Sequence, residues 1–155
     1  MDKNKLHETL NLAYQNHQKS NFDIAKNLYK KILKENPNHF ETLFLLGSLS
    51  AAIKNFEEGK KLLIKASQIN PGSAKVYNNL GIIYKKLRDY EKSIGCYEKA
   101  IKLDSNYKIA KGNLIEIYEL YAKELFEKNL HKKALEFIKM GPGLIRFSNK
   151  DFKIL

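Results

Sequence analysis

The tightest constraint in this chain is a spacing. Counting back 34 residues from Gly81 arrives at Gly47, and the same step again arrives at Ala13. Pro71 follows Pro37 by that interval, and so do the members of the series Phe22, Phe56, Tyr90 and of the series Asn21, Asn55, Asp89. The step also links Tyr97 to Leu63 and Tyr29, and Ala100 to Ala66 and Ile32. Three consecutive units, about 6–39, 40–73 and 74–107, keep one register without an insertion. A chain that repeats at such a period is committed to a stack of like units, each burying its apolar face against the next.

Each unit reads as two helices. In the third, Tyr77, Leu80 and Tyr84 share one face of the first helix. Gly81 removes a side chain where a second helix must come close, which offsets its cost of roughly 1 kcal/mol relative to Ala. Ile94, Tyr97, Ala100 and Ile101 form the apolar stripe of the second helix,. The expected pairs are 3–18 with 22–35, 40–53 with 56–69, and 73–87 with 90–103. Asn21, Asn55 and Asp89 are the expected caps of the second helices, and the Asn-Pro pairs at 36–37 and 70–71 close the units,. No stretch before residue 141 alternates with period two over a useful length, so strands are not expected there,.

The fourth unit is atypical. Leu114, Ile115 and Tyr118 continue the register, but Ala134 comes seven residues later than the place matching Ser93. Seven residues are about two turns, so the apolar face stays in phase. The spacing predicts one long helix over 108–128, extended by roughly 10 Å, then a turn at Asn129 and a short helix over 131–140. The tail, 141–155, differs in kind: Gly141-Pro142-Gly143 stops a helix, and Leu144, Ile145 and Phe147 have β character,. Either the tail folds back along the long helix, or it is the first strand of a following domain.

The unit 74–107 resembles the tetratricopeptide repeat (TPR), through Tyr77, Leu80, Gly81, Tyr84, Tyr97 and Ala100,. Ser93 stands where that family usually has Ala, and Ser105 where it usually has Pro. The resemblance implies an all-α, right-handed solenoid of three regular repeats and an atypical fourth, spanning 1–140. It implies that first helices line a concave groove which receives a segment of a protein partner. The groove places fall on His7, Leu10, Tyr14 and Gln18, on Glu41, Phe44, Ser48 and Ala52, on Lys75, Asn78, Ile82 and Lys86, and on Ile109, Gly112, Glu116 and Leu120. A neighbouring Asn place gives Asn11, Asn79 and Asn113, with Leu45 breaking the series. An amide offers donors and an acceptor and so suits a peptide backbone of any sequence. The expected contacts are therefore Asn11, Tyr14, Phe44, Ser48, Lys75, Asn78, Asn79, Ile82, Lys86 and Asn113. Some members of the family clamp a C-terminal carboxylate. Here those places hold Leu10, Tyr14, Leu45, Asn78 and Ile82, without the basic residues, so chaperone C-terminus binding is not expected.

Other chemistry finds little support. His7, His17, His39 and His131 lack the four-residue spacing that puts two ligands on one helical face, and no Cys pair accompanies them, so neither metal nor cofactor is expected,. Cys96 has no arguable base beside it and reads as packing,. Gly141-Pro142-Gly143 lacks the Gly-Lys-Ser/Thr of a phosphate loop,. No enzyme activity is expected of the chain itself. Its net charge of +11 raises the chance of an acidic partner, whether nucleic acid, an anionic membrane surface or an acidic protein segment, but the lysines are spread along every helix and not gathered in one block, so the charge reads first as composition and nucleic acid is not the expected target,. There is no apolar run long enough for a membrane span, the start does not read as a signal peptide, and one cysteine suits a reducing compartment, so a cytoplasmic location is expected,. Two alternatives stay open: a docking module at the front of a larger enzyme, and a basic helical repeat that binds nucleic acid. The open first unit also permits end-to-end self-association.

Overall fold

The computed structural model describes residues 2–140 together with 145–147 and 152–154. Its helices are α1 (Lys3–Gln18), α2 (Phe22–Glu35), α3 (Phe40–Ala52), α4 (Phe56–Ile69), α5 (Ala74–Lys86), α6 (Tyr90–Leu103), α7 (Lys108–Glu127) and α8 (His131–Met140). Each agrees with the sequence reading to within a residue at either end. Two short strands follow, β1 (Ile145–Phe147) and β2 (Phe152–Ile154), paired antiparallel with Ile145 opposite Ile154. The path of the tail against α7, or into a further domain, lies outside the described residues.

Every helical hairpin turns in the same way. Ser20, Lys54, Arg88 and Asn129 hold positive φ of 60–64°. They recur at 34 residues twice and then at 41, so the backbone itself marks the seven-residue insertion. At the second turn Lys54 N–H donates to Ala51 C=O and Asn55 N–H to Ser50 C=O. The other three turns repeat this pair of bonds, the Schellman arrangement that satisfies the last carbonyls of a helix,. Asn55 and Asp89 then cap the second helices, each accepting from a backbone N–H three residues on, at 3.3 Å. Asn21 does not. Its amide turns back to donate to Asn16 Oδ1 at 3.1 Å, a partner the other two turns lack.

The hairpins close on small residues. A Cβ built on Gly81 would lie 2.5 Å from the Tyr97 ring, and one on Gly47 would lie 2.8 Å from Leu63 Cγ. From the facing helix, a Cβ on Gly59 would lie 3.0 Å from Gly47 C=O. One period later Ser93 occupies the same place, buried, with its hydroxyl donating to Gly81 C=O at 2.8 Å. Ala25 and Ala134 fill this column in the first and last hairpins, both fully buried.

The fourth hairpin corrects one expectation. Ile115, one period after Gly81, is 38% exposed, whereas Ala122, seven residues further on, is fully buried. Ile138 likewise stands 41 residues after Tyr97 and is buried. Thus α7 serves two registers. Its first half follows the 34-residue step beside α5, and its second half closes against α8 at the step of 41.

Neighbouring hairpins stack through α2–α3, α4–α5 and α6–α7 contacts, and first helices touch first helices: α1 with α3, α3 with α5, α5 with α7. The core follows this order, as clusters around Leu10, Tyr29 and Leu49, then Leu43, Leu63 and Leu80, then Tyr90, Tyr97 and Ile117.

Candidate interaction groove

The surface built by α1, α3, α5 and α7 carries a polar seam through its middle. Asn113 on α7 donates from Nδ2 to Asn78 Oδ1 on α5 at 2.9 Å. Asn78 donates to Asn79 Oδ1 at 3.2 Å, and Asn79 to Ser48 Oγ on α3 at 2.8 Å. The Ser48 hydroxyl donates to Phe44 C=O, one turn back, at 2.8 Å. The relay crosses three repeats, from α7 through α5 to α3. Asn78 is 3% exposed, so its burial is tolerable because both amide ends are engaged,.

Beside the seam, a cavity of about 510 Å³ opens between α3 and α5. Ser48 and Asn79 form its polar wall, Ala51, Ala52, Phe56 and Ile82 its apolar lining, and Lys54 and Lys86 complete it. Among the described residues no carboxylate lines it. Lys54 projects from the left-handed turn residue between α3 and α4. Neither Lys54 nor Lys86 has an ion-pair partner among the described residues, whereas Lys85 next door holds Glu116 at 2.8 Å.

The residues singled out by sequence divide into four groups. Ser48, Asn79, Ile82 and Lys86 come together on the cavity. Asn78 and Asn113 join it through the relay. Phe44 is half-buried, stacked on Phe40 with centroids 6.5 Å apart, and meets the seam through its carbonyl. Asn11, Tyr14 and Lys75 are exposed and stand apart from the cavity; among the described residues Asn11 finds no side-chain hydrogen-bond partner. Lys54, Ala51 and Phe56 were not singled out. The signal for Lys54 was the series Ser20, Lys54, Arg88, which places a cation in the turn beside the groove.

Burial pushes the Cys96 thiol up to about 11, so it holds its proton at neutral pH, half-buried against the core,. Among the described residues no three His, Cys, Asp or Glu side chains converge to hold a metal, and no helix is long and apolar enough to cross a membrane.

The sequence profile of the tetratricopeptide repeat matches residues 74–107, and a second profile of the same description matches 17–80. The chain belongs to the tetratricopeptide repeat family. Its TPR array is 26% identical over 136 residues to anaphase-promoting complex subunit 3 of Schizosaccharomyces pombe, covering 84% of this chain and 19% of that protein. It is 31% identical over 137 residues to heat shock protein STI1 of Saccharomyces cerevisiae, covering 85% of this chain and 22% of that one. The chain thus spans about a fifth of these two relatives. Among solved structures, the first TPR domain of Spaghetti (RPAP3), bound to the HSP90 peptide SRMEEVD, superposes with a TM-score of 0.75 at 20% identity, over 79% of this chain and 97% of that one. At that identity the likeness speaks for the TPR fold alone.

Proposed function

We propose that the protein is a non-catalytic interaction scaffold whose concave surface docks a peptide segment of a partner protein. The observation that carries the reading is the α3–α5 cavity with the Asn113–Asn78–Asn79–Ser48 relay beside it. Side-chain amides already locked together lose little freedom on binding, and an apolar lining gives a buried side chain somewhere to go. The RPAP3 domain, of the same fold, carries a peptide in its solved structure.

The test is to fill the cavity without touching the core. Ala52 is exposed on α3 and lines the cavity, so Ala52→Tyr places a ring there at little cost to folding. Partners recovered from native cells on the parent protein should be lost on this variant, with its urea midpoint unchanged. Equal recovery on both proteins would sink the assignment. Two competing readings have their own checks. An open reading frame continuing past Leu155 into a catalytic domain would support an enzyme-docking module. RNA binding that falls steeply with salt yet survives bulk competitor would support the nucleic-acid reading.

A further inference from the structure

Taking the concave groove as the docking surface, we infer that the α3–α5 cavity selects an internal acidic segment: an apolar side chain enters the cavity, and carboxylates flanking it in the partner meet Lys54 and Lys86. Charge is the first argument. Lys54 and Lys86 are the charged residues of the lining, and among the described residues neither has a carboxylate partner and no acid lines the cavity. A partner bringing lysine there would meet like charge, which costs binding and sets specificity as much as attraction does.

Donor bookkeeping is the second argument. Asn79 Oδ1 already accepts from Asn78, one Asn79 N–H is spent on Ser48, and the Ser48 proton is spent on Phe44 C=O. Asn79 keeps a second N–H, and the two ammonium groups bring only donors. The polar protons still available at the cavity therefore call for acceptors, which carboxylates and peptide carbonyls supply. Ala51, Ala52, Phe56 and Ile82 supply the apolar surface that an anion alone would leave unused.

An internal segment fits better than a chain terminus. The places that clamp a terminal carboxylate elsewhere in the family hold Leu10, Tyr14, Leu45 and Ile82, and the fifth, Asn78, is buried with its amide engaged. The cations here sit elsewhere, one in the α3–α4 turn and one at the end of α5. A phosphate backbone would satisfy the cations and leave the apolar lining empty, so a protein segment is the better match.

The experiment is a titration of the full-length, isotope-labelled protein, followed by amide chemical shifts, with short peptides blocked at both ends. One alternates Glu with Leu, one replaces Glu by Lys, and one replaces Leu by Ser. The Glu/Leu peptide should shift Ser48, Ala52, Asn79 and Lys86 and bind about tenfold tighter than either control. Lys54→Glu and Lys86→Glu should each weaken it about two- to fivefold, the range of exposed ion pairs, and added salt should do the same. If a control peptide binds as tightly and shifts the same residues, the acidic preference fails while groove docking stands. Shifts confined to α4 and α6, or no shifts with any probe, overturn both. The free-acid peptide SRMEEVD is the last probe. If it binds and its amidated form does not, the site reads a chain terminus and the internal-segment inference is wrong. An RNA oligomer that displaces the Glu/Leu peptide from the same residues overturns it as well.

Discussion

A methyl group at residue 81 would sit 2.5 Å from a Tyr97 ring carbon, and that ring is fully buried with no room to withdraw. At residue 112 of α7 the same methyl group would meet nothing within 4 Å. Two glycines of one helical type are therefore held to opposite rules. Gly81→Ala should destabilise by about 1–3 kcal/mol through overpacking, despite its gain in helix propensity. Gly112→Ala should stabilise by about 1 kcal/mol, because propensity acts alone there. Urea midpoints of the two variants check both signs. The requirement at Gly81 was legible in the sequence, since its 34-residue partner is also Gly and a large residue, Tyr97 or Leu63, stands at the matching place of the opposite helix. The fate of Asn78 was not. Repeat alignment pairs Asn79 with Asn113, yet the hydrogen bond joins Asn78 to Asn113, 35 residues apart. Aligned residues of successive repeats share a role without touching; the stacking of one helix on the next decides which amides meet. Asn78 thus became a buried link of the seam, where sequence offered it as a ligand contact.

Within the first hairpin, α1 and α2 are tied by a side chain that titrates. His17 near the end of α1 lies edge-on to Phe22 and Tyr29, with ring centroids 6.1 and 6.2 Å away, and its Nδ1 is 3.4 Å from Tyr29 OH. Burial there disfavours the imidazolium and holds the His17 pKa below its ordinary 6.5,. The same surroundings push Tyr29 up to about 12, so the phenol stays neutral throughout the accessible range. The folded hairpin therefore keeps His17 neutral while the unfolded chain takes up a proton near 6.5. Stability from this group is constant above that pH and declines as pH falls below it, down to the folded pKa. Amide exchange should show α1 and α2 opening more readily at pH 5.5 than at pH 7.5, beyond any change in α4–α6. In His17→Gln that difference should vanish; its persistence would place the sensitivity elsewhere. The helices themselves were readable because apolar period and length agree within each unit, and Asn-Pro stops close the first two. The sequence shows His17 only as a histidine with no ligand partner at four-residue spacing, and its ring contacts across the hairpin leave no mark in that spacing.

Across the whole molecule the atypical fourth repeat does two things at once, and the step of 41 explains how. The first half of α7 continues the regular wall, reaching back through Asn113 to Asn78 and through Glu116 to Lys85. Tyr118, still in the regular register, and Tyr121, on the added turns, donate through their hydroxyls to Glu98 and Glu91 of α6, both at 2.8 Å. Lys133 of α8 joins Glu91 at 2.7 Å. The phase argument of the sequence foresaw the length of this helix, because seven residues return the apolar stripe nearly to its starting angle. It could not foresee that Ala122 would replace Ile115 as the close-packing residue, since both registers are apolar in the sequence. An array whose last inner cluster is covered by such a helix should depend on it. Ending the chain after Asn106 would expose Tyr90 and Ile94, now 5% and 6% accessible, and each large apolar side chain returned to water costs about 1.5–3 kcal/mol,. Losing the Asn113 bond to buried Asn78 adds about 1 kcal/mol or more. The shortened protein should lose roughly 5 kcal/mol, a large part of a domain's usual 5–15. Its urea midpoint should fall accordingly, and sedimentation should show association through the uncovered face of α6. A shortened chain as stable and as monodisperse as the parent would mean that α7 and α8 only lengthen the groove wall and do not seal the stack.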